Sequence, residues 1–156
     1  MNRPAPGFTL VEVLVVLLIV GILATSLTLS PGAVAGQRWR QELERLELSL
    51  GHAADRALVG GPPVAVDLLA DSYRFSSLRA NGDWRLIDDD PVLAEHRLPA
   101  ELRWENLEVD GQSAAAPWRL VFSSLPPRFA LTLQTPGGKQ VLRGLASGAL
   151  RRQEGP

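Results

Sequence analysis

Cysteine is absent from the chain. Its absence excludes disulfides, thiolate-held zinc, a thiol nucleophile and a lipid-modified N-terminal cysteine. Histidine is scarce: His52 and His96 are the two in the sequence, too few for a histidine-rich metal centre. Neither sign of charge is in excess, with 16 basic and 17 acidic side chains giving a formal net charge of -1. That balance argues against a globally basic nucleic-acid binder and against an acidic disordered tail. Catalytic signatures are missing as well. There is no Gly-x-Ser-x-Gly elbow, no His-Glu-x-x-His pair and no phosphate-cradling glycine loop, so no catalytic residue, metal ligand or cofactor is assigned. An enzyme is not expected.

What the sequence does have is concentrated at its front. With 156 residues there is room for one compact domain plus an appendage. Residues 8–29, FTLVEVLVVLLIVGILATSLTL, carry a single charged side chain, Glu12. As a helix rising ~1.5 Å per residue they span about 33 Å, close to the hydrocarbon thickness of a bilayer. Ahead of them Arg3 is the sole basic side chain in MNRPAPG. The positive-inside rule therefore keeps the start cytoplasmic and sends the remainder across.

A secretory signal places its small-residue cleavage site after the apolar run. Here the order is reversed: Gly7 precedes the run and Glu12 lies inside it, where a carboxylate is costly. Gly7 lets an extended backbone enter a protease site closely, and a cut after it exposes an amine at the edge of the apolar helix. Glu12, about one turn further on, can supply the counter-charge to its own amine or to that of an adjacent subunit in a bundle of such helices. The string Gly7-Phe8-Thr9-Leu10-Val11-Glu12 closely resembles the processing site of type IV pilins and pseudopilins. The resemblance implies that a membrane peptidase cuts between Gly7 and Phe8, that the new Phe8 amine is methylated, and that Glu12 serves assembly.

After Leu29, Ser30-Pro31-Gly32 predicts a break. From Gln37 an amphipathic helix is expected, with Trp39, Leu43, Leu46, Leu50, Ala53 and Ala57 as its apolar stripe and Gly60-Gly61-Pro62-Pro63 as its stop. Seven strand-like runs follow, at 64–69, 72–78, 83–87, 102–109, 118–122, 128–134 and 139–145, parted by turn signals such as Asn81-Gly82, Asp110-Gly111 and Pro136-Gly137-Gly138. A meander is expected, with Val64, Val66, Tyr73, Phe75, Trp84, Leu86, Leu102, Trp104, Leu107, Leu120, Phe122, Phe129, Leu131, Leu133, Val141 and Leu142 inward by alternation. The expected fold is α+β and pilin-like: a long N-terminal hydrophobic helix continues, past a break near 30–32, into an amphipathic helix packed on antiparallel sheet. Its expected parts are a leader at 1–7, a transmembrane and polymerisation helix at 8–29, a joint at 30–36, the amphipathic helix at 37–61 and a β-rich head at 62–156.

Within the pilin-like family the layout is most similar to the H subclass of minor pseudopilins in bacterial type II secretion. That similarity implies a single-pass inner-membrane protein with a periplasmic head, built into a pseudopilus that assists export of folded proteins. Its implied partners are other minor and major pseudopilins, the prepilin peptidase and the inner-membrane assembly platform. The alternative is a minor pilin of a type IV pilus or DNA-uptake fibre, with Arg151 and Arg152 contacting DNA phosphates. A frayed, charged terminus explains those two arginines more simply, so nucleic acid is not expected as a partner. Asp88-Asp89-Asp90 is expected to be a solvated turn, because three consecutive aspartates cannot converge on one calcium ion. Residues 83–110, with nine acidic side chains against Arg85, Arg97 and Arg103, form either a surface for a basic neighbour or a loop kept soluble by charge.

Overall fold

The computed structural model describes residues 10–26 and 31–155 of the chain, which divides into two compact units, Met1–Ala35 and Gly36–Pro156. In the first, helix α1 spans Leu10–Ser26. Its large apolar side chains from Leu10 to Val20 are 45–81% exposed, as in a helix that has no polar face to turn outward. Among the described residues no helix is long and apolar enough to cross a membrane. Helix α1 has 17 described residues, and the expected 8–29 span runs past them at both ends.

Helix α2 runs Pro31–Leu58. It begins before Gln37, where the amphipathic pattern starts, because proline fits the first helical turn, whose N–H groups have no partner in the helix. Its end is a Schellman arrangement: Gly60 adopts φ +90°, and the Gly61 N–H donates to the Arg56 carbonyl at 3.2 Å. Every residue of the expected stripe, Trp39, Leu43, Leu46, Leu50, Ala53 and Ala57, is buried.

Ten strands follow in the second unit: β1 (Val64–Leu68), β2 (Ser72–Leu78), β3 (Trp84–Leu86), β4 (His96–Arg97), β5 (Arg103–Val109), β6 (Gln112–Ser113), β7 (Trp118–Phe122), β8 (Phe129–Thr135), β9 (Gly138–Gly144) and β10 (Leu150–Glu154). They form two antiparallel sheets. The first has the order β3-β2-β1-β7 with β4 also on β2, and the second β10-β9-β8-β5-β6. The expected simple meander is therefore corrected: β7 leaves its sequence neighbours to pair with β1, in the register Val66↔Leu120, and β5 pairs with β8. This exchange lets two sheets share one core with α2, where neither could bury its apolar face alone.

That core is a single cluster. Leu43, Leu46 and Leu50 of α2 join Val64, Val66, Tyr73, Phe75, Leu120 and Phe122 of the first sheet and Leu107, Phe129, Leu131, Leu133 and Leu142 of the second. Phe122 and Phe129 meet edge to face across the sheets at 6.0 Å. Two inward assignments are corrected. Leu86 is 49% exposed while Ile87 is 6% exposed, because β3 stops at Leu86 and Ile87 turns in to donate its N–H to the Phe75 carbonyl. Trp84, two residues earlier on the face of Leu86, is half-buried with the Arg119 guanidinium 5.5 Å over its ring. Val141 and Leu142 are both buried as expected, and Leu142, opposite Leu131, belongs to the central cluster.

Gly144 is a tight point in this packing, since a Cβ there would overlap the Phe129 ring. Gly144→Ala should therefore lower stability by about 1–3 kcal/mol through overpacking, measured as a shift of the urea midpoint. In a Phe129→Leu background the penalty should shrink, because the ring edge is gone.

Candidate functional site

Of the residues expected to carry assembly, Gly7 and Phe8 lie outside the described residues. Glu12 occupies the first turn of α1, where the helix dipole favours a carboxylate, and it is exposed. The remaining candidates fall in the second unit, where the structure assigns them partners.

The acidic run 88–90 is not simply a solvated turn. Asp88 and Asp89 are exposed, but Asp90 closes a loop onto α2. Its Oδ2 lies 2.9 Å from His52 Nε2 and 3.4 Å from an Arg56 terminal nitrogen, and its Oδ1 accepts the Val92 N–H at 3.0 Å. The adjacent Ser49 hydroxyl donates to the Val92 carbonyl at 2.8 Å, and Leu93 is fully buried. Further along, an Arg45 terminal nitrogen lies 3.0 Å from His96 Nε2. Residues 90–96 thus strap across α2, tied at one end by His52 and at the other by His96. The two histidines are 44 positions apart in sequence, and each is committed to its own partner.

Beneath the strap, the buried Tyr73 hydroxyl donates to Glu42 Oε1 at 2.7 Å. Burial first, and then the Glu42 carboxylate, push the Tyr73 phenol well above its ordinary range, so it stays a neutral donor. On the outer face of the first sheet, Asp67 sits between two guanidiniums. Arg119 engages it through Nε at 2.5 Å and a terminal nitrogen at 2.9 Å, and Arg74 Nε is 3.6 Å away. The strand register places both arginines directly opposite Asp67. Neither Asp90 nor Asp67 could be singled out in the sequence. Only the i, i+4 pair His52 and Arg56 on one helix hints that a carboxylate belongs there.

Arg151 and Arg152 belong to β10, which pairs with β9 in the register Arg151↔Arg143 and Arg152↔Leu142. The expected frayed terminus is corrected to an edge strand whose charges guard its open side. Arg152 has an internal partner, Glu47, at 3.7 Å, Lys139 pairs with Glu105 at 2.6 Å, and the Arg143 Nε donates to Gln153 at 3.1 Å. This basic group is largely engaged within the head and forms no phosphate-tracking stripe. Among the described residues no group of histidine or acidic side chains could hold a metal ion.

The chain matches the prokaryotic N-terminal methylation motif over residues 2–28. It is 30% identical over 95 residues to type II secretion system protein H of Aeromonas hydrophila, covering 60% of this chain and 52% of that one. It is 33% identical over 116 residues to type II secretion system protein H of Pseudomonas aeruginosa, covering 70% and 62%. The chain thus spans a little over half the length of these curated relatives. In fold it is similar to two structures of the minor pseudopilin EpsH from the type 2 secretion system of Vibrio cholerae. One has a TM-score of 0.59 at 18% identity, covering 74% of this chain and 96% of that one; the other has 0.61 at 17%, covering 77% and 96%. The N-terminal motif is thus similar to that of methylated prokaryotic precursors, the sequence similarity to the protein H relatives extends over 95–116 residues, and the structural likeness is one of fold.

The carboxylates of the head set its acid limit. The Arg119 hydrogen bond, outweighing burial and joined by the charges of Arg119 and Arg74, holds Asp67 below the usual carboxylate range. Burial raises Asp90, but the His52 hydrogen bond, the Val92 N–H and the charges of His52 and Arg56 together hold it below the usual carboxylate range. A carboxyl lowered in the folded state stabilises fully above its unfolded value, about 4, and loses that contribution as pH falls through the folded value. Stability should therefore drop as pH falls below about 4. Asp67→Asn and Asp90→Asn should each lower the urea midpoint at pH 6 and narrow the difference between pH 6 and pH 3.

Proposed function

We propose that this chain is a minor pseudopilin of the H type, a structural subunit at or near the tip of a type II secretion pseudopilus that assists export of folded proteins from the periplasm. The observation that carries the reading is the coincidence of a methylation motif over residues 2–28 with a head whose fold is that of minor pseudopilins. The motif supports membership of a processed, polymerising class, and the head supports the subclass. Neither implies chemistry on a substrate, in keeping with a sequence that carries no catalytic signature.

In this reading residues 1–7 are a leader removed by a prepilin peptidase, and Phe8 becomes the methylated N-terminus. Residues 8–29 anchor the precursor in the inner membrane with its head in the periplasm. An assembly platform then draws the apolar helix out of lipid into a bundle of like helices. The transfer is feasible because one apolar environment replaces another, so most of the helix loses little. The costly group is Glu12, and pairing it with a neighbour's Phe8 amine offsets that cost and sets the axial register of the incoming subunit. The other minor and major pseudopilins are its partners in the fibre. The runner-up, a DNA-contacting minor pilin, is weakened because Arg152 is turned toward Glu47.

Two substitutions test the reading. Gly7→Ala should leave the precursor uncut, seen as an intact Met1 start in mass spectrometry of membrane fractions; removal of residues 1–7 at a normal rate would sink the assignment. Glu12→Ala should be processed and keep a folded head, yet be lost from fibres sheared from secreting cells. Wild-type incorporation of this variant would show that the carboxylate does not serve assembly.

A further inference from the structure

The two ends of the strap depend on histidine protonation in opposite senses. A guanidinium has five N–H donors and no acceptor. The 3.0 Å contact between Arg45 and His96 Nε2 is therefore a hydrogen bond only if Nε2 is a bare acceptor, which requires the neutral ring with its proton on Nδ1. Protonating His96 turns that acceptor into a donor and sets two cations face to face. At the other end, Asp90 is a carboxylate held low by its surroundings, and protonating His52 turns the 2.9 Å contact into a charge-assisted pair. Acid therefore loosens one tie and tightens the other.

The groups around each histidine support this division. His96 faces Arg45 and, behind it, Glu42 from α2. It is stacked at 6.0 Å and tilted 31° against Tyr73 of β2, the residue opposite it in the strand register, and Glu95 and Arg97 flank it. Glu42 is taken by the Tyr73 hydroxyl, and Glu95 accepts from Ser72 at 3.3 Å. The remaining charge at the ring is Arg45, 4.0 Å from Glu42, to which it can turn when His96 rejects it. His52 faces Asp90, with Arg56 sharing that carboxylate and Asp55 nearby on the helix, while the exposed Asp88 and Asp89 precede the strap.

We propose that the strap over α2 is an acid-sensitive device, pivoting on the Asp90–His52 tie and released at His96 when that ring is protonated. The inference rests on the head's own geometry and stands whether or not the secretion reading holds. What the release changes is a groove of about 790 Å³ between α2 and the strap, lined by Arg38, Gln41, Arg45, Leu48, Val92 and Pro99, among others. Arg45 and Val92 are respectively on its fixed and its moving wall. The sign follows from the donor count alone: the His96 tie needs the neutral ring and is lost when that ring takes a proton.

Amide hydrogen exchange on the full-length protein in detergent micelles tests this, because each end has its own reporter. The Leu98 N–H, donated to the Asp71 carbonyl at 2.8 Å, reports the His96 end; the Val92 and Leu93 N–H groups, both held by Asp90, report the other. After correction for the intrinsic pH dependence of exchange, protection of Leu98 should fall about tenfold between pH 7.5 and 5.5, the loss of one charge-assisted bond. Protection of Val92 and Leu93 should hold or rise. His96→Gln keeps an acceptor for Arg45 but does not titrate, so its Leu98 protection should be the same at both pH values. His52→Gln should retain the Leu98 response and weaken Val92 and Leu93. Equal Leu98 protection at both pH values in the wild type, or an equal loss in His96→Gln, would overturn the proposal.

Discussion

The burial of one helical stripe against two sheets at once is the constraint from which the head's architecture follows. Neither sheet could stand alone: each presents one apolar face, and the chain has no disulfide to hold an open sandwich together. Leu43, Leu46 and Leu50 fill the space where both inner faces meet, and the alanines at 53, 54 and 57 let the helix end lie close to the strands. The same requirement explains why β7 crosses to β1. Keeping β7 beside β5 would put Leu120 and Phe122 on a sheet whose inner face is already occupied by Leu107, Leu131 and Leu142.

Helix α1 presents the opposite case. Its apolar residues outnumber anything the described first unit could cover, and they remain exposed from Leu10 to Val20. The contrast is between a helix with a single buried stripe, around which the head's core is organised, and one with no polar face to turn outward. Glu12 at the start of α1 is consistent with a segment selected for more than lipid solubility.

Much of this was legible in the sequence because it rests on periodicity. Three- and four-residue steps gave the α2 stripe, and alternation gave the cores of β1, β2, β7 and β8, since a buried face imposes its period on any element that packs against it. The misreadings occur where period carries no information. β10 reads LRRQE, with no alternation to mark it, and is held by backbone pairing along an edge. In β3 a three-residue strand is too short to establish a face, so Leu86 and Ile87 exchanged roles. The strap was invisible for a different reason: His52 and Asp90 are 38 positions apart, and nothing local distinguishes Asp90 from the two aspartates before it. Pro31 marks a helix boundary as expected, but because proline can begin a helix, α2 starts there and not at Gln37.

The bond between Tyr73 and Glu42 carries a mechanical implication. A helix held only by leucines can rotate or slide a little at small cost, because one methyl group substitutes for another. A phenol that must find one carboxylate in a dry setting cannot, since a shift of one residue would swing Glu42 through about 100° and strand the hydroxyl. With the glycine-capped end as a second stop, sliding of α2 along the head's sheets meets resistance at a discrete notch and not along a smooth slope.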